Sequence, residues 1–279
     1  MLVRYQGERL THSKDGTYDV MCMPPTDDLD WSKDLFDGDG TPKSPELVQA
    51  LGSFLAVRGV TDVFAPSIGY LSGAIVYPHQ LSDQIRLSDA VCLHRNREVP
   101  ADGLLIKKKQ AFMMANGGCP IIVADAQGIV IVAHAARDSL LDRAFITTGE
   151  RSREHMSVVN AIQSAFRHMH IHQRHVSLAV FFGIPVLPFT HPVNDPAANG
   201  YNRKMVDHVL REWGSGIIVD PQGKAHLSIS HLIKAQATTL GFKDVLLRHP
   251  LPEDGEFAYT RHDDENLCKK RNLILVWRS

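Results

Sequence analysis

The chain has 279 residues, 44% of them hydrophobic, with 30 basic against 31 acidic side chains. That length buries a sizeable core in one domain spanning 1–279, and the balanced charge excludes the field that draws nucleic acid or an anionic membrane surface. No apolar run approaches the roughly 18 residues of a membrane span, and the start of the chain lacks the apolar stretch of a secretory leader. The 4 cysteines are scattered, so the reading is a cytoplasmic protein with reduced thiols that acts on a small molecule.

Residues 12–46 are rich in Asp, Gly, Pro, Ser and Lys and predict loops with one short strand, so 1–45 reads as an irregular extension packed on the domain. Ser44, Pro45 and Glu46 start a helix carrying Leu47, Ala50, Leu51, Phe54 and Leu55 on one face and ending near Gly59. A glycine-punctuated stretch from Ser67 to Gly73 leads to strands at 74–77, 84–92, 103–106 and 110–116, followed by a hairpin. Residues 153–169 then predict an amphipathic helix, 176–186 a buried strand, 201–213 and 229–240 helices, and 244–247 and 272–277 strands. Strands in succession with a few covering helices give an α+β (mixed α/β) fold, with central mixed or antiparallel sheets under helices.

The hairpin carries the most chemistry. If Asp125 and Gly128 close a two-residue turn, Ala124 faces Ile129, Ile121 faces Val132 and Cys119 faces His134. Opposed residues share one face of a sheet, with Cβ atoms roughly 4.5–5.5 Å apart. A thiol beside an imidazole is a metal site, an activated nucleophile, or an inert core cysteine beside a histidine. Asn116-Gly117-Gly118 ahead of Cys119 gives the backbone permissive, close-approach geometry. A metal would need a third ligand, and His79 is the nearest upstream candidate.

Two weaker patterns stand beside it. Arg261 and Arg271 bracket a polar excursion before the last strand; they are solvated loop charges or an anion-binding pair. The run His168-Met-His170-Ile-His172-Gln-Arg-His175 would align three imidazoles if it were a strand, but it follows an amphipathic helix and reads as a helix end and connection. Phosphate-binding glycine loops, Gly-x-Ser-x-Gly and His-Glu-x-x-His are all missing from the sequence.

Ala101-Asp102-Gly103-Leu-Leu-Ile, then Gly117-Gly-Cys119-Pro-Ile-Ile-Val-Ala-Asp125, then Ala133-His134-Ala, resemble the Ala-Asp-Ala, Ala-Asp-Cys-x-Pro and Ala-His-Ala-Gly-Trp-Arg-Gly motifs of the multicopper polyphenol oxidoreductase family. These are also called laccase-domain or purine nucleoside phosphorylase-like proteins. His79 is similar in placement to the histidine of that family's Gln-Val-His-Gly motif. Phe257-Ala-Tyr-Thr-Arg261 with Arg271-Asn-Leu-Ile-Leu-Val-Trp277 resembles its closing signature. The likeness covers roughly 60–279. It departs where Gly-Trp-Arg-Gly is Ala136-Arg-Asp-Ser, where Gln-Val-His-Gly is Tyr77-Pro-His79-Gln, and where Ala-Asp-Cys is Gly117-Gly-Cys119.

The resemblance implies a mixed α/β fold shared with cysteine deamidase toxins. It also implies a metal, zinc or alternatively copper, held by His79, Cys119 and His134. The activity implied is phosphorolysis or deamination of purine nucleosides, with Arg137, Arg261 and Arg271 shaping the nucleoside and phosphate pocket. The rival reading makes Cys119 a thiolate nucleophile and His134 its base, attacking an amide or thioester without metal. A third reading keeps the pocket only to bind nucleosides.

Overall fold

The structure, a computed structural model, describes residues 9–12, 17–25, 28–36, 41–68, 73–152, 155–181, 190–192, 199–219, 226–248 and 269–278. In chain order the elements are β1 (Arg9–His12), β2 (Asp19–Met23), α1 (Pro45–Val57), β3 (Asp62–Ile68), β4 (Ile75–Val76), β5 (Asp83–Ser88), β6 (Val91–Ala101), β7 (Gly103–Ile106) and β8 (Gln110–Asn116). There follow β9 (Ile121–Ala126), β10 (Ile129–His134), α2 (Arg137–Leu140), α3 (Arg143–Thr148), α4 (Val158–His168), β11 (Ser177–Phe181), β12 (Thr190–Pro192) and α5 (Asn199–Trp213). The last are β13 (Ile218–Val219), β14 (His226–Ser228), α6 (Ile229–Thr239), β15 (Asp244–Leu247) and β16 (Asn272–Trp277).

A seven-stranded sheet has the order β1-β2-β16-β8-β3-β6-β5, and a six-stranded sheet the order β15-β11-β9-β10-β7-β4. Both are mixed: β3 runs parallel to β6 and β8, β11 parallel to β15, and β4 parallel to β7, while the other pairs are antiparallel. A small third sheet joins β12, β14 and β13.

The two large sheets stack face to face, as their side-chain alternation requires. Along β16, Leu273, Leu275 and Trp277 enter one core with α1, while Ile274 and Val276 enter another. Along β10, Val130 and Val132 join that second core, while Ile131 and Ala133 pack under α4 and α6. Successive strand residues point to opposite faces, so strands that are apolar at every position need cover on both sides. The result is layered: α1, the seven-stranded sheet, an inter-sheet core, the six-stranded sheet, then α4, α5 and α6.

Several sequence expectations are corrected here. The predicted strand at 84–92 is a hairpin, with β5 turning back into β6 at Asp89-Ala90. The short strand expected within 12–46 is β2, which lies next to the edge strand β1 and pairs with β16, and Trp31 and Leu35 of the same segment are buried in the α1 core rather than lying on a loop surface. The helix expected over 153–169 begins at Val158 after the Ser157 cap. Residues 182–186 of the strand expected at 176–186 lie outside the described residues. The histidine run is no strand: His168 ends α4, His170 has φ +59 and Gln173–His175 is a 3-10 turn, so its imidazoles share no sheet face.

The hairpin register differs from expectation by two residues. His134 pairs with Ile121 and Ile129 with Ala126, leaving Gln127 and Gly128 as the turn at φ +50 and +79. A two-residue turn that matches strand twist needs positive φ at both positions, and glycine takes the second without strain. His134 points to the inter-sheet side with its partner Ile121, while Cys119 is not in the ladder: it lies two residues ahead of β9, in the crossover, and meets His134 only at the shared cavity.

Candidate functional site

The chain passes between the two large sheets at three neighbouring points, and each crossing contributes to one site. After β3 it crosses toward β4 through Gly73; between β6 and β7 it crosses at Asp102; between β8 and β9 it crosses through Gly117, Gly118, Cys119 and Pro120. His134 closes β10 beside the last crossing, where Ala135 N donates to Pro120 O at 2.9 Å and His134 N to Asp102 O at 2.7 Å. Glycines mark these crossings because backbones approach closely there. A Cβ at Gly73, which sits at φ +57, would collide with the carbonyl oxygen of Met156. Gly73→Ala is therefore expected to lower Tm steeply, whereas Gly59→Ala, at φ +75 with nothing within 4 Å, carries only the left-handed strain of about 1–2 kcal/mol. Thermal melts of the two variants check this, and equal effects would contradict the crowding.

Cys119 and His134 line a cavity of about 300 Å³ together with Ile68, Met114, Asn116, Gly117, Arg137, Asp138 and Arg271. One wall comes from each sheet: Ile68, Met114, Asn116 and Arg271 from the larger, Cys119 and His134 from the smaller. His134 is buried and Cys119 partly exposed, which leaves the thiol reachable. The His134 imidazole interacts with Cys119 on one side. On the other its Nδ1 faces Oδ1 of Asp102 at 3.8 Å, longer than a hydrogen bond but within electrostatic reach. Asp102 is fully buried, and its Oδ2 accepts from the Gly73 N–H at 2.8 Å. Sulfur, imidazole and carboxylate thus form a Cys-His-Asp line running from the cavity into the protein.

Burial alone would lower the pKa of His134. The Cys119 sulfur, followed by the Asp102 carboxylate, outweighs it and raises the value to about 9, so the site favours the imidazolium form of His134. The other described thiols lack such company: burial pushes the Cys22 and Cys92 thiols up, toward the inert protonated form.

Positive charge flanks the cavity. Arg137 contacts Asp138 at 3.1 Å and Asn202 at 3.3 Å, and its guanidinium lies 5.0 Å over the Tyr201 ring. Arg271 comes from the chain entering β16, whose Asn272 pairs with Asn116. Arg261 lies outside the described residues.

His79 is not among the residues lining this cavity. It sits in a 3-10 turn at Pro78–Gln80, stacked on the Tyr77 ring at 5.9 Å. Among the described residues no three His, Cys, Asp or Glu side chains converge as a metal site. The cavity wall contributed by the end of β3 is Ile68, an aliphatic side chain without a donor. Asp138 also lines the cavity but pairs with Arg137, so the described residues do not fit the three-ligand zinc centre expected from the sequence. Asp102, Asn116 and Ile68 escaped the sequence reading as site residues. Asp102 carried the clearest signal, a carboxylate set inside the apolar segment 99–106.

A larger cavity of about 410 Å³ lies beyond α2, lined by Leu140, Phe145, His208 and Trp213 among others. It contains no thiol, and its Asp142 caps α3 through the Phe145 N–H.

No protein-family model matches the chain, and no curated protein matches it in sequence. Solved structures do match in fold. YfiH, a hypothetical protein of Bacillus licheniformis, superposes with TM-score 0.63 at 11% identity over 99% of this chain and 98% of its own. YlmD from Geobacillus stearothermophilus gives 0.58 at 13% identity over 99% and 98%. The Neisseria meningitidis protein NMB0706 gives 0.53 at 12% identity over 98% and 100%. The chain shares its fold, a mixed α/β arrangement, with these proteins from end to end.

Proposed function

We propose that this protein is a cysteine-dependent hydrolase acting on an amide or thioester of a small anionic molecule. One observation carries the reading: Cys119 and His134 open together into a single cavity, with the buried Asp102 carboxylate behind the imidazole. A nucleophile, a base beside it and a group that orients the base make the arrangement that nucleophilic catalysis requires. The cavity volume suits a small molecule, and Arg137 and Arg271 supply charge for a carboxylate or phosphate.

In this reading the Cys119 thiolate attacks the carbonyl carbon, a C–S bond forms, and the carbonyl π electrons move onto oxygen. Collapse expels the amine or thiolate leaving group, which takes a proton from the His134 imidazolium. Water then attacks the thioester with His134 as base, releasing the carboxylic acid and restoring the thiol. The Asp102 carboxylate, 3.8 Å from Nδ1, stabilises the imidazolium.

A brief exposure of the untagged full chain to iodoacetamide, read by peptide mass spectrometry and zinc analysis, tests the reading. The expected result is modification of Cys119 well ahead of Cys22 and Cys92, unchanged by a chelator. Stoichiometric zinc that is lost in both Cys119→Ala and His134→Ala would overturn it in favour of metal-dependent purine nucleoside chemistry, with His79→Ala then showing whether His79 is the third ligand. Nucleoside binding with an unreactive Cys119 would favour a binding module instead.

A further inference from the structure

Building on the cysteine-hydrolase reading, we infer that the main-chain N–H of Cys119 is the oxyanion donor of this site and that Asn116 is the positioning residue that aims it. Acyl transfer puts negative charge on the former carbonyl oxygen, next to the attacking sulfur, so the useful donor must be fixed before the reaction begins. The Cys119 N–H lies one residue's reach from its own Sγ. Among the described residues it donates to no acceptor.

Its orientation is set by an unusual clamp. Asn116 ends β8 and is 1% exposed. Its Oδ1 accepts from the Gly118 N–H at 2.5 Å, and its Nδ2 donates to the Cys119 carbonyl oxygen at 2.8 Å. The side chain therefore bridges the crossover it starts, gripping the residue before the Gly118–Cys119 peptide and the residue after it. Gly118 adopts φ +101, open to glycine and strained for other residues. Asn272, itself fully buried, donates from Nδ2 to the Asn116 carbonyl oxygen at 3.2 Å and ties the clamp to β16. That antiparallel pairing sets Arg271 beside Gly117, on the same wall of the cavity. Buried amides are retained only where their bonds are satisfied, and these fix the one loop that presents both the nucleophile and the spare N–H.

Two electrophiles that share the sulfur but differ in charge development separate this role from simple support of the loop. Acylation by p-nitrophenyl acetate passes through an oxyanion and releases p-nitrophenolate; alkylation by iodoacetamide displaces iodide and forms none. In Asn116→Ser the expected result is an acylation rate about 100-fold lower, the scale of losing one oxyanion donor, with alkylation within about threefold of wild type. Gly118→Ala turns the same peptide without emptying the space around Asn116 and is expected to show the same split, with retained alkylation reporting an intact thiol site. Rates that fall together, or acylation that does not fall, would overturn the inference. A wild-type Cys119 that alkylates but never acylates would instead overturn the hydrolase reading beneath it.

Discussion

Replacing His134 with alanine is expected to slow alkylation of Cys119 at pH 6, by at most about 300-fold, and by only a few-fold above pH 9. An isolated cysteine with a pKa near 8.5 is about 0.3% thiolate at pH 6, so about 300-fold is the ceiling on what an adjacent imidazolium can add there. The pH dependence follows from the raised pKa of His134, about 9. Below that value the ring is charged and stabilises negative charge on the sulfur beside it. As pH rises through it the ring loses its proton, the variant's thiol ionises unaided, and the advantage disappears. Stopped alkylation series from pH 5 to 10 on both proteins measure this directly. A constant ratio across the range would mean that His134 affects the site only through packing.

Asp102→Asn is expected to lower turnover by roughly two to four orders of magnitude while leaving the fold intact. Asparagine has the same shape, and its side-chain oxygen can still accept from Gly73, so the crossing that Asp102 anchors is retained. What is lost is the charge 3.8 Å from Nδ1. Without it the imidazolium is less stable, and the alkaline limit of reactivity should move to lower pH. An amide can also donate to Nδ1 and favour the wrong tautomer. Asp102→Ala should behave differently: it leaves the buried Gly73 N–H unsatisfied, at about 1–3 kcal/mol, and opens a void between the sheets. An Asp102→Asn protein with an unchanged pH profile would restrict Asp102 to structural support.

Much of the architecture was legible because strand signals here are strong. The apolar runs at 103–106, 110–116, 244–247 and 272–277 became β7, β8, β15 and β16 with those limits, and Pro45 and Gly59 bracketed α1. Errors arose where two short elements lay close together, as in β5 and β6; the one short strand expected in the loop-rich 12–46 is β2, drawn into the sheet. Neither composition nor periodicity records that a strand's neighbours lie distant in sequence; β2 is held between β1 and β16 by pairing with the last strand of the chain.

The sequence by itself determined the central pair of the site. Reading the hairpin put Cys119 and His134 together, and they do line one cavity, although Cys119 sits in the crossover ahead of β9 rather than opposite His134 in the ladder. Only the tertiary structure decided their company. Asp102 reaches His134, Asn116 clamps the loop before Cys119, and Ile68 rather than His79 completes the cavity, because three crossings between stacked sheets bring these residues to one edge. Sequence spacing fixes which way a side chain points within its strand. Which side chains meet across two sheets depends on how those sheets are stacked, and no local pattern encodes it.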